Sequence, residues 1–451
     1  MCGIVGYVGD RDAARVVWSS LCRLEYRGYD SAGIAVLNGQ GVITAKCKGR
    51  LKDLEPKLSE LPYAKEAIGH TRWATHGVPS DDNAHPHRDC TGDIVLVHNG
   101  IIENHREIRE KLLRNGHRLK SETDSELVAL LVEENYRGDL ALAVMETVRE
   151  LEGTMALVVI HSSEPGRIVA YREKSPLIVG MGDGENFLAS DIPAILPYTQ
   201  KALVVNDGET VIVEQNGVTI RSRDNGIVQR EPVLVNLRPE AAEKAGFDHF
   251  MLKEIYEQPV SLDRVISGRI RDGMVELEKS EFGLSDEQVR SLSKVWLLAC
   301  GTAYHACLVG KAMIERLAGI QAEVMLASEF KHANPIVPPG SLCIMVSQSG
   351  ETIDTITAMR EARALGVERV LAIVNQPISS LAREADDVVY QRAGPEIAVA
   401  STKAYTSQVV CLALLAVHLA SVRGRIGRDE EARFTSDTTG NEHQPIFGSI
   451  G

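Results

Sequence analysis

The stretch LCIMVSQSGETIDT at residues 342–355 decides the fold of the second half of the chain. It passes from a continuous apolar run, through a serine- and glycine-containing turn, into a helical pattern. A continuous apolar run is typical of a strand buried on both faces, and a strand followed by a helix is the repeating unit of parallel sheets. Further apolar runs alternate with helical patterns nearby: KVWLLAC (294–300), RVLAIVN (369–375) and DVVYQ (387–391). We therefore predict an α/β doubly wound, mostly parallel sheet.

Residues 1 to about 235 show a different pattern, with short apolar runs bounded by Gly, Asn or Pro. Such runs are typical of strands. The segments NDG (206–208) and QNG (215–217) lie between β-branched runs and predict hairpin turns. Helical patterns at 12–26, 103–116 and 125–136 interrupt the strands, so we predict an α+β layered domain. The predicted strands are GIVGYVG (3–9), GIAVLNGQGVITAKC (33–47), IVLVHNG (94–100), MALVVIH (155–161), RIVAY (167–171) and LIVG (177–180).

Changes in pattern divide the chain into four segments. The apolar run VVCLALLAVHLA at 409–420 is too short and too interrupted for a membrane span, and we expect a buried helix there. The expected segments are a first domain at 2–235, a linker with helical pieces at 236–290, a second domain at 291–427, and a polar, glycine-rich tail at 428–451 that is disordered or foreign.

Composition limits the function. The 451 residues carry a net charge of −13, which argues against general nucleic-acid binding. The 8 cysteines include no C-x-x-C pair, which favours a reduced, cytoplasmic setting over a disulfide framework. The N-terminus lacks the basic segment and long apolar run of a signal peptide.

Cys2 is the first candidate for chemistry. Initiator methionine is readily removed before a small residue, and this would leave a free α-amine on Cys2. An α-amine has a pKa of about 7.7–8.0, so it can act as a base for its own thiol. Position alone favours an unremarkable cysteine, because reactivity depends on the surroundings of the thiol.

Six motifs in order change that interpretation: CGIVGYVG (2–9), LEYRGYDSAG (24–33), HTRWATHG (70–77), NAHPH (83–87), VHNGIIENH (97–105) and SETDSE (121–126). Over nearly all of 2–235 the chain resembles the class II glutamine amidotransferases, and within them the glutamine–fructose-6-phosphate aminotransferases. The resemblance implies an N-terminal-nucleophile (Ntn) hydrolase fold of αββα layers, with Cys2 as the nucleophile.

Glutamine hydrolysis also needs an oxyanion hole and a clamp for the amino-acid head group. Asn99 and Gly100 can offer a side-chain amide and a backbone N–H to the oxyanion, although an Asn-Gly pair also suits a turn. Arg72 can bind the substrate carboxylate bidentately, or form a surface salt bridge. Asp124 can pair with the substrate ammonium, but TDSE also resembles a capping box with a helix N-cap.

The resemblance implies further roles in the first domain. Trp73, Thr75, His76 and His85 would line or support the glutamine pocket, and Arg27 and Tyr29 would lie close to the nucleophile. A metal site among the histidines at 70–87 is not expected, because no acidic or cysteine ligand accompanies them at a familiar spacing. No cofactor is expected either.

In the second half, LLACGTAYHA (297–306), VSQSGETIDT (346–355) and VASTKAYTSQ (399–408) resemble the sugar isomerase (SIS) domain of the same aminotransferases. Each motif is predicted to place Ser, Thr or Gly where a strand ends and a helix begins, and helix N-termini suit phosphate. Simple helix capping by Ser or Thr is the alternative at any one junction. The candidate sugar-phosphate residues are Gly301, Thr302, Ser347, Gln348, Ser349, Thr352, Val399 and Ser401.

The resemblance implies an enzyme that hydrolyses L-glutamine and passes ammonia to D-fructose 6-phosphate, which gives D-glucosamine 6-phosphate and L-glutamate. The full-length family is expected to be homodimeric, without nucleic-acid or membrane partners. Family members carry two SIS domains, and we find the first of them in this sequence. Three interpretations therefore stay open: an enzyme whose recorded sequence is truncated, a glutaminase only, or a sugar-phosphate-binding module.

Overall fold

A computed structural model describes residues 2–235 and 244–439. The chain divides into two compact units, Met1–Glu243 and Lys244–Gly451. Each unit contains its own hydrophobic core. We describe them separately as the first and the second unit.

The first unit contains five α-helices and fifteen strands within the described residues. The helices are α1 Ala13–Cys22, α2 Leu51–Leu54, α3 His105–Arg114, α4 Asp124–Asn135 and α5 Leu140–Glu150. The strands are β1 Gly3–Gly9, β2 Ser31–Asn38, β3 Gly41–Lys48, β4 Glu66–Arg72, β5 His87–Arg88, β6 Ile94–Ile102, β7 Gly153–His161, β8 Arg167–Glu173, β9 Ile178–Met181, β10 Glu185–Ala189, β11 Lys201–Val204, β12 Glu209–Glu214, β13 Gly217–Arg221, β14 Ile227–Val228 and β15 Val233–Leu234.

Two sheets form the centre of the first unit. The eight-stranded sheet has the order β15-β11-β9-β10-β1-β4-β2-β3, and the seven-stranded sheet has the order β14-β13-β12-β8-β7-β6-β5. Apolar side chains of both sheets, such as Ile4 and Val97, share one buried cluster. Helix α1 packs on β1 and β4, whereas α4 and α5 pack on β6 and β8. This is the predicted αββα layering, with one helix layer outside each sheet.

One of the two predicted hairpin turns is confirmed and the other is wrong. The QNG turn joins β12 to β13, where Glu214 lies opposite Gly217. The NDG segment instead carries the chain between sheets, because β11 pairs with β9 and β15 while β12 pairs with β8 and β13. Turn residues favour a local chain reversal. Which strands then pair depends on the sheet in which each strand is buried.

The second unit contains nine α-helices and seven strands within the described residues. The helices are α6 Phe250–Tyr256, α7 Gln258–Ile266, α8 Asp286–Ser291, α9 Thr302–Met313, α10 Ala327–Ala333, α11 Ile353–Ala364, α12 Ser380–Glu384, α13 Lys403–Val422 and α14 Arg428–Thr439. The strands are β16 Ile270–Arg271, β17 Met274–Val275, β18 Lys294–Ala299, β19 Gln321–Leu326, β20 Ser341–Ser347, β21 Arg369–Val374 and β22 Asp387–Tyr390.

A five-stranded parallel sheet of order β19-β18-β20-β21-β22 forms the centre of the second unit. The predicted doubly wound sheet is therefore confirmed. The strand order reverses between β18 and β20, because the chain moves to β19 on one side and to β20 on the other. In sheets of this kind, ligands bind in the crevice at the carboxyl ends of the strands beside such a reversal.

Two segments differ from their expected roles. Residues 244–290, expected within a linker, contain α6, α7 and all but the last residue of α8, and they contribute Val265, Phe282 and Val289 to the core of the second unit. Residues 428–439, expected in the tail, form α14. The α14 side chain of Glu431 accepts the Val275 N–H at 2.8 Å, and this contact fastens the helix to β17. Residues 236–243 and 440–451 lie outside the described residues.

Helix α13 contains the long apolar run at 409–420. Within the described residues it is the one helix long and apolar enough to cross a membrane, but 67% of its apolar window is buried. Its side chains belong to the core of the second unit, with Leu412 and Leu419 fully buried. The predicted buried helix is confirmed.

Candidate active site

The position of Cys2 follows from the pairing of two central strands. Cys2 directly precedes β1, and the next residue, Gly3, lies opposite Thr71 of the antiparallel strand β4. This register places the Cys2 thiol against the end of β4. The backbone N–H of Trp73 donates to Cys2 Sγ at 3.2 Å.

The thiol of Cys2 is in a mostly buried environment. Burial raises its pKa, whereas the Trp73 N–H and the charges of Arg72 and Arg27 lower it by less. The thiol is therefore un-ionised at neutral pH. A thiol in that state needs a nearby base before it can act as a nucleophile.

The side-chain amide of Asn99 lies beside Cys2. Its Nδ2 donates to the backbone carbonyl of Cys2 at 3.0 Å, and its Oδ1 lies 2.9 Å from His70 Nε2. An amide nitrogen carries two protons, so the bond to Cys2 leaves a second one for a ligand. The amide can thus donate to an oxyanion that forms next to the thiol.

Gly100 lies inside β6 opposite Met155, so the alternative of an Asn-Gly turn is wrong. Its φ of 139° is one that favours glycine. A Cβ atom here would overlap with the carbonyl oxygen of Thr154 on β7. Glycine is needed because the two strands approach too closely for any side chain.

Arg72 ends β4 and is buried. Its Nη2 donates to the backbone carbonyls of His76 and Gly77. Its Nη1 is buried without a hydrogen-bond partner. A surface salt bridge is therefore not its role, and the unpartnered nitrogen can donate to a ligand carboxylate.

Asp124 is not the N-cap of α4. Thr123 occupies that position, and its hydroxyl accepts the Glu126 N–H at 3.3 Å. Asp124 is the first helical residue, and its Oδ2 accepts the Ile102 N–H at 2.8 Å. Its negative charge acts on Arg72. Capping by Thr123 leaves the buried Asp124 carboxylate available to bind a cation.

Arg27 and Trp73 contact Cys2, and Tyr29 packs on Trp73. Arg27 Nε donates to the Cys2 carbonyl at 3.0 Å. The ring of Tyr29 meets the edge of the Trp73 indole at 5.3 Å between centroids. The Trp73 side chain is 40% exposed, so its indole is accessible to a ligand.

The other three expected pocket residues lie at different depths. Thr75 is exposed and His76 is half-buried, and both follow β4 on the same loop. The His76 ring lies 5.1 Å from that of His105. His85 is buried and stacks on His70 at 4.1 Å between ring centroids. His85 thus supports the histidine that contacts the Asn99 amide.

Sequence reasoning missed three residues that hold this arrangement. His70 contacts the amide described above, Asp191 accepts from Arg27 Nη1 at 3.1 Å, and Asp30 accepts the Ala74 N–H at 2.8 Å. All three bonds join residues far apart in the sequence. No local pattern signals such partners, so only the pairing of β1, β2, β4 and β10 reveals them.

In the second unit, two candidate junctions lie side by side. Strands β18 and β20 are neighbours, with Ala299 opposite Val346. Gly301 and Thr302 open α9 after β18, and Gln348 follows β20. These residues therefore lie at the carboxyl edge where the strand order reverses.

The turn after β20 is held by its own hydroxyls. Ser347 Oγ accepts the Gly350 N–H at 3.0 Å and lies 3.4 Å from Thr352 Oγ1. Ser349 Oγ accepts the Glu351 N–H at 3.2 Å. Thr352 is the N-cap residue of α11, but its side chain makes no capping hydrogen bond. Simple capping therefore does not explain the Thr352 hydroxyl.

The third candidate junction is longer than expected. Residues 391–402 separate β22 from α13. The hydroxyl of Ser401 donates to Glu396 Oε2 at 2.9 Å, and Glu396 also accepts the backbone N–H of Thr402. Val399 is exposed. A carboxylate thus caps α13, and Ser401 can donate to a phosphate only by leaving Glu396.

Comparison with known families assigns a type to each unit. The profile of the glutamine amidotransferase domain matches residues 70–197. The profile of the SIS domain matches residues 289–418. The first match contains Arg72, Asn99 and Asp124, and the second contains all three candidate junctions.

Curated relatives resemble nearly the whole chain. A glutamine–fructose-6-phosphate aminotransferase (isomerising) of Clostridium tetani is 49% identical over 431 residues, which are 95% of this chain and 71% of the relative. The protein of the same name from Symbiobacterium thermophilum is 51% identical over 448 residues, 99% of this chain and 73% of the relative. Among solved structures, the C-terminal domain of glucosamine-fructose-6-phosphate aminotransferase from Francisella tularensis is 36% identical with a TM-score of 0.42, covering 44% of this chain and 55% of that one.

Proposed function

Because the chain belongs to the family of isomerising glutamine–fructose-6-phosphate aminotransferases, we propose that Cys2 is the nucleophile that releases ammonia from glutamine. The chain is a glutamine-dependent aminotransferase of hexosamine synthesis. Its reaction transfers the amide nitrogen of L-glutamine to D-fructose 6-phosphate and yields D-glucosamine 6-phosphate and L-glutamate. The observation that carries our proposal is the Asn99 amide, which donates to the backbone carbonyl of Cys2, the residue whose thiol accepts the Trp73 N–H.

The base in this proposal is the α-amine of Cys2 itself. Burial keeps the thiol protonated, so attack on glutamine requires a proton acceptor. Removal of Met1 creates an amine with a pKa of about 7.7–8.0 on the same residue. The amine takes the thiol proton as Sγ bonds to the amide carbon of glutamine.

The oxyanion that results is bound by Asn99 Nδ2 and the Gly100 N–H. The Asn99 amide is held in place by its contacts with His70 and with the Cys2 carbonyl. When the intermediate collapses, the carbon–nitrogen bond breaks and the α-ammonium returns its proton to the departing ammonia. Water then attacks the thioester, which releases glutamate and restores the thiol.

The amino-acid head group is bound by Arg72 and Asp124. The unpartnered Nη1 of Arg72 donates to the substrate carboxylate, and the Asp124 carboxylate accepts from the substrate ammonium. Both side chains are buried, with exposed fractions of 4% and 5%. The low local dielectric strengthens the electrostatic attraction between each side chain and the substrate. Trp73, Thr75, His76 and His85 line or support this pocket, and Arg27 and Tyr29 position the nucleophile.

Fructose 6-phosphate binds at the carboxyl edge of the parallel sheet. The N-termini of α9 and α11 offer backbone N–H groups to the phosphate. Hydroxyls of Thr302, Ser347, Ser349 and Thr352 add donors there. Gly301, Gln348, Val399 and Ser401 complete the proposed sugar-phosphate site.

A cytoplasmic setting fits the free thiols of all eight cysteines. The partners are the two substrates and a second copy of the chain in a homodimer, which light scattering can test. The proposed steps use protein groups and water alone.

Labelling tests the role of Cys2. A diazoketone analogue of glutamine should alkylate Cys2 in the full chain, and glutamine should protect it. Peptide mass spectrometry locates the label. The Cys22→Ser variant is the matched control and should be labelled at Cys2 as in the wild type. Label on another cysteine, or labelling that glutamine does not slow, would contradict the assignment.

A further inference from the structure

Three side chains from separate segments meet at the surface of the first unit. Cys90 lies between β5 and β6, His117 follows α3, and Glu133 lies near the end of α4. Cys90 Sγ is 3.3 Å from His117 Nδ1, and Nδ1 is 3.6 Å from Glu133 Oε2. All three ligand-type atoms lie within 4.8 Å of one another. None of these residues takes part in the proposed glutamine or sugar chemistry.

The backbone fixes this meeting point. Gly116, with a φ of 93°, reverses the chain after α3, and the His117 N–H then donates to the Leu112 carbonyl at 3.1 Å. The Cys90 N–H donates to Glu133 Oε2 at 3.0 Å. The first bond fixes His117 against the end of α3, and the second holds the Cys90 segment against α4.

The spacing fits a tetrahedral metal ion. Zinc binds thiolate at about 2.3 Å and imidazole at about 2.0–2.1 Å, so two ligand atoms of a tetrahedron lie about 3.5 Å apart. The distances of 3.3 and 3.6 Å bracket that value. A thiol together with an imidazole favours zinc over magnesium or calcium, which prefer oxygen ligands.

The other ring nitrogen of His117 supplies an independent observation. Its Nε2 lies 3.2 Å from Glu134 Oε1, and Asn115 Nδ2 donates to the same oxygen at 2.5 Å. Metal-binding histidines almost always donate their second N–H to such an acceptor. With the proton on Nε2, the lone pair of Nδ1 faces Cys90 and Glu133.

We propose that Cys90, His117 and Glu133 bind one Zn²⁺ ion, with water as the fourth ligand. The exposed Cys90 gives the ion a path from solvent. The ion cross-links the β5–β6 turn, the segment after α3 and the last turn of α4. Zinc binds cysteine as the deprotonated thiolate. Zinc binding therefore releases the thiol proton to solvent.

Cobalt spectroscopy of the full chain tests this site. The measurements use a Cys2→Ala background, because the Cys2 thiol of the active site is partly accessible and could also bind cobalt. Co²⁺ should give a thiolate charge-transfer band and the strong visible bands of four-coordinate cobalt, at one ion per chain, and Zn²⁺ should abolish them. Cys90→Ser should remove the charge-transfer band, and Cys22→Ser should leave the spectrum unchanged.

Further variants separate metal binding from loss of folding. His117→Ala and Glu133→Gln should weaken zinc affinity strongly, and Glu134→Gln should weaken it about 10- to 100-fold. Circular dichroism without metal should match that of the background protein. A charge-transfer band that survives Cys90→Ser would overturn the proposal, and so would a zinc affinity that His117→Ala leaves unchanged.

Discussion

His70 Nε2 lies 2.9 Å from Asn99 Oδ1 and 3.1 Å from the His98 carbonyl oxygen. Both neighbours accept hydrogen bonds, so Nε2 carries the ring proton. Burial lowers the pKa of His70 to about 3, and the ring therefore stays neutral at working pH. This contact turns the Asn99 amide so that its nitrogen faces Cys2.

Asn99→Ala should lower kcat for glutamine hydrolysis by about 10²- to 10³-fold, because one oxyanion donor is lost. His70→Ala should lower kcat by less and leave KM nearly unchanged, because it only loosens the amide. The double variant should be no worse than Asn99→Ala. Steady-state assays of glutamate release measure all three.

The control for this pair is His161→Ala, which removes a buried histidine that stacks on Tyr136. It should leave kcat close to the wild-type value. Additive losses from His70→Ala and Asn99→Ala would show that His70 does not act through Asn99.

Arg72→Ala and Asp124→Ala should raise KM for glutamine strongly. Loss of one partner of a buried charge pair costs about 2–5 kcal/mol. Arg72→Lys should restore only part of the affinity, because lysine lacks the planar fork. Alkylation of Cys2 by a small thiol reagent is the control, and its rate should persist in each variant. A wild-type KM in both alanine variants would refute the clamp.

Ser349→Ala and Thr352→Ala should weaken the binding of fructose 6-phosphate. A hydrogen bond to a charged group contributes about 1.5–3 kcal/mol, so Kd should rise roughly 10- to 100-fold. Titration calorimetry measures this. Thr357→Ala alters a hydroxyl further along α11 and is the matched control. Equal Kd values for Thr352→Ala and Thr357→Ala would place the phosphate elsewhere.

Glu66→Gln should stabilise the protein at alkaline pH. Burial raises the pKa of Glu66 to about 8, and its Oε1 has no hydrogen-bond partner. The unfolded chain loses this proton near pH ~4.3, whereas the folded chain keeps it until about pH 8. The free energy of unfolding therefore falls between these values as pH rises.

Glutamine resembles the protonated carboxyl and removes that dependence. Thermal unfolding should thus show a Tm gain for Glu66→Gln that is largest at and above pH 8 and vanishes near pH ~4. The exposed Glu152→Gln serves as the control. A gain that does not vary with pH would show that Glu66 is ionised in the folded protein.

The apolar patterns of the sequence predict a layered α+β first unit and a doubly wound second unit, whereas the αββα order of the layers is implied by the family resemblance. The sequence wrongly predicts a hairpin turn at the NDG segment, because long-range packing places β11 and β12 in different sheets. It also left Asp124 ambiguous between capping and binding. Only the helix boundary shows that Thr123 caps α4 and that the neighbouring carboxylate is available.

In the candidate site too, some residues could be predicted from the sequence and others depend on tertiary packing. Motif order points to Cys2, Arg72 and Asn99, because each lies in a distinctive short sequence. His70 and Asp191 act through partners 29 and 164 residues away, and their bonds depend on strand register. The ligand-type atoms of Cys90, His117 and Glu133 meet only after folding, and their spacing matches no familiar metal motif.

The most direct test of the N-terminal nucleophile compares two forms of the full chain. One starts at Cys2, and the other retains Met1 because methionine aminopeptidase was inhibited during expression. Intact mass identifies each form, and glutamate release from glutamine measures its turnover. We expect turnover only from the form that starts at Cys2, and none from its Cys2→Ala counterpart. Equal turnover by the form that retains Met1 would contradict the mechanism, because its Cys2 nitrogen is an amide and cannot accept the proton.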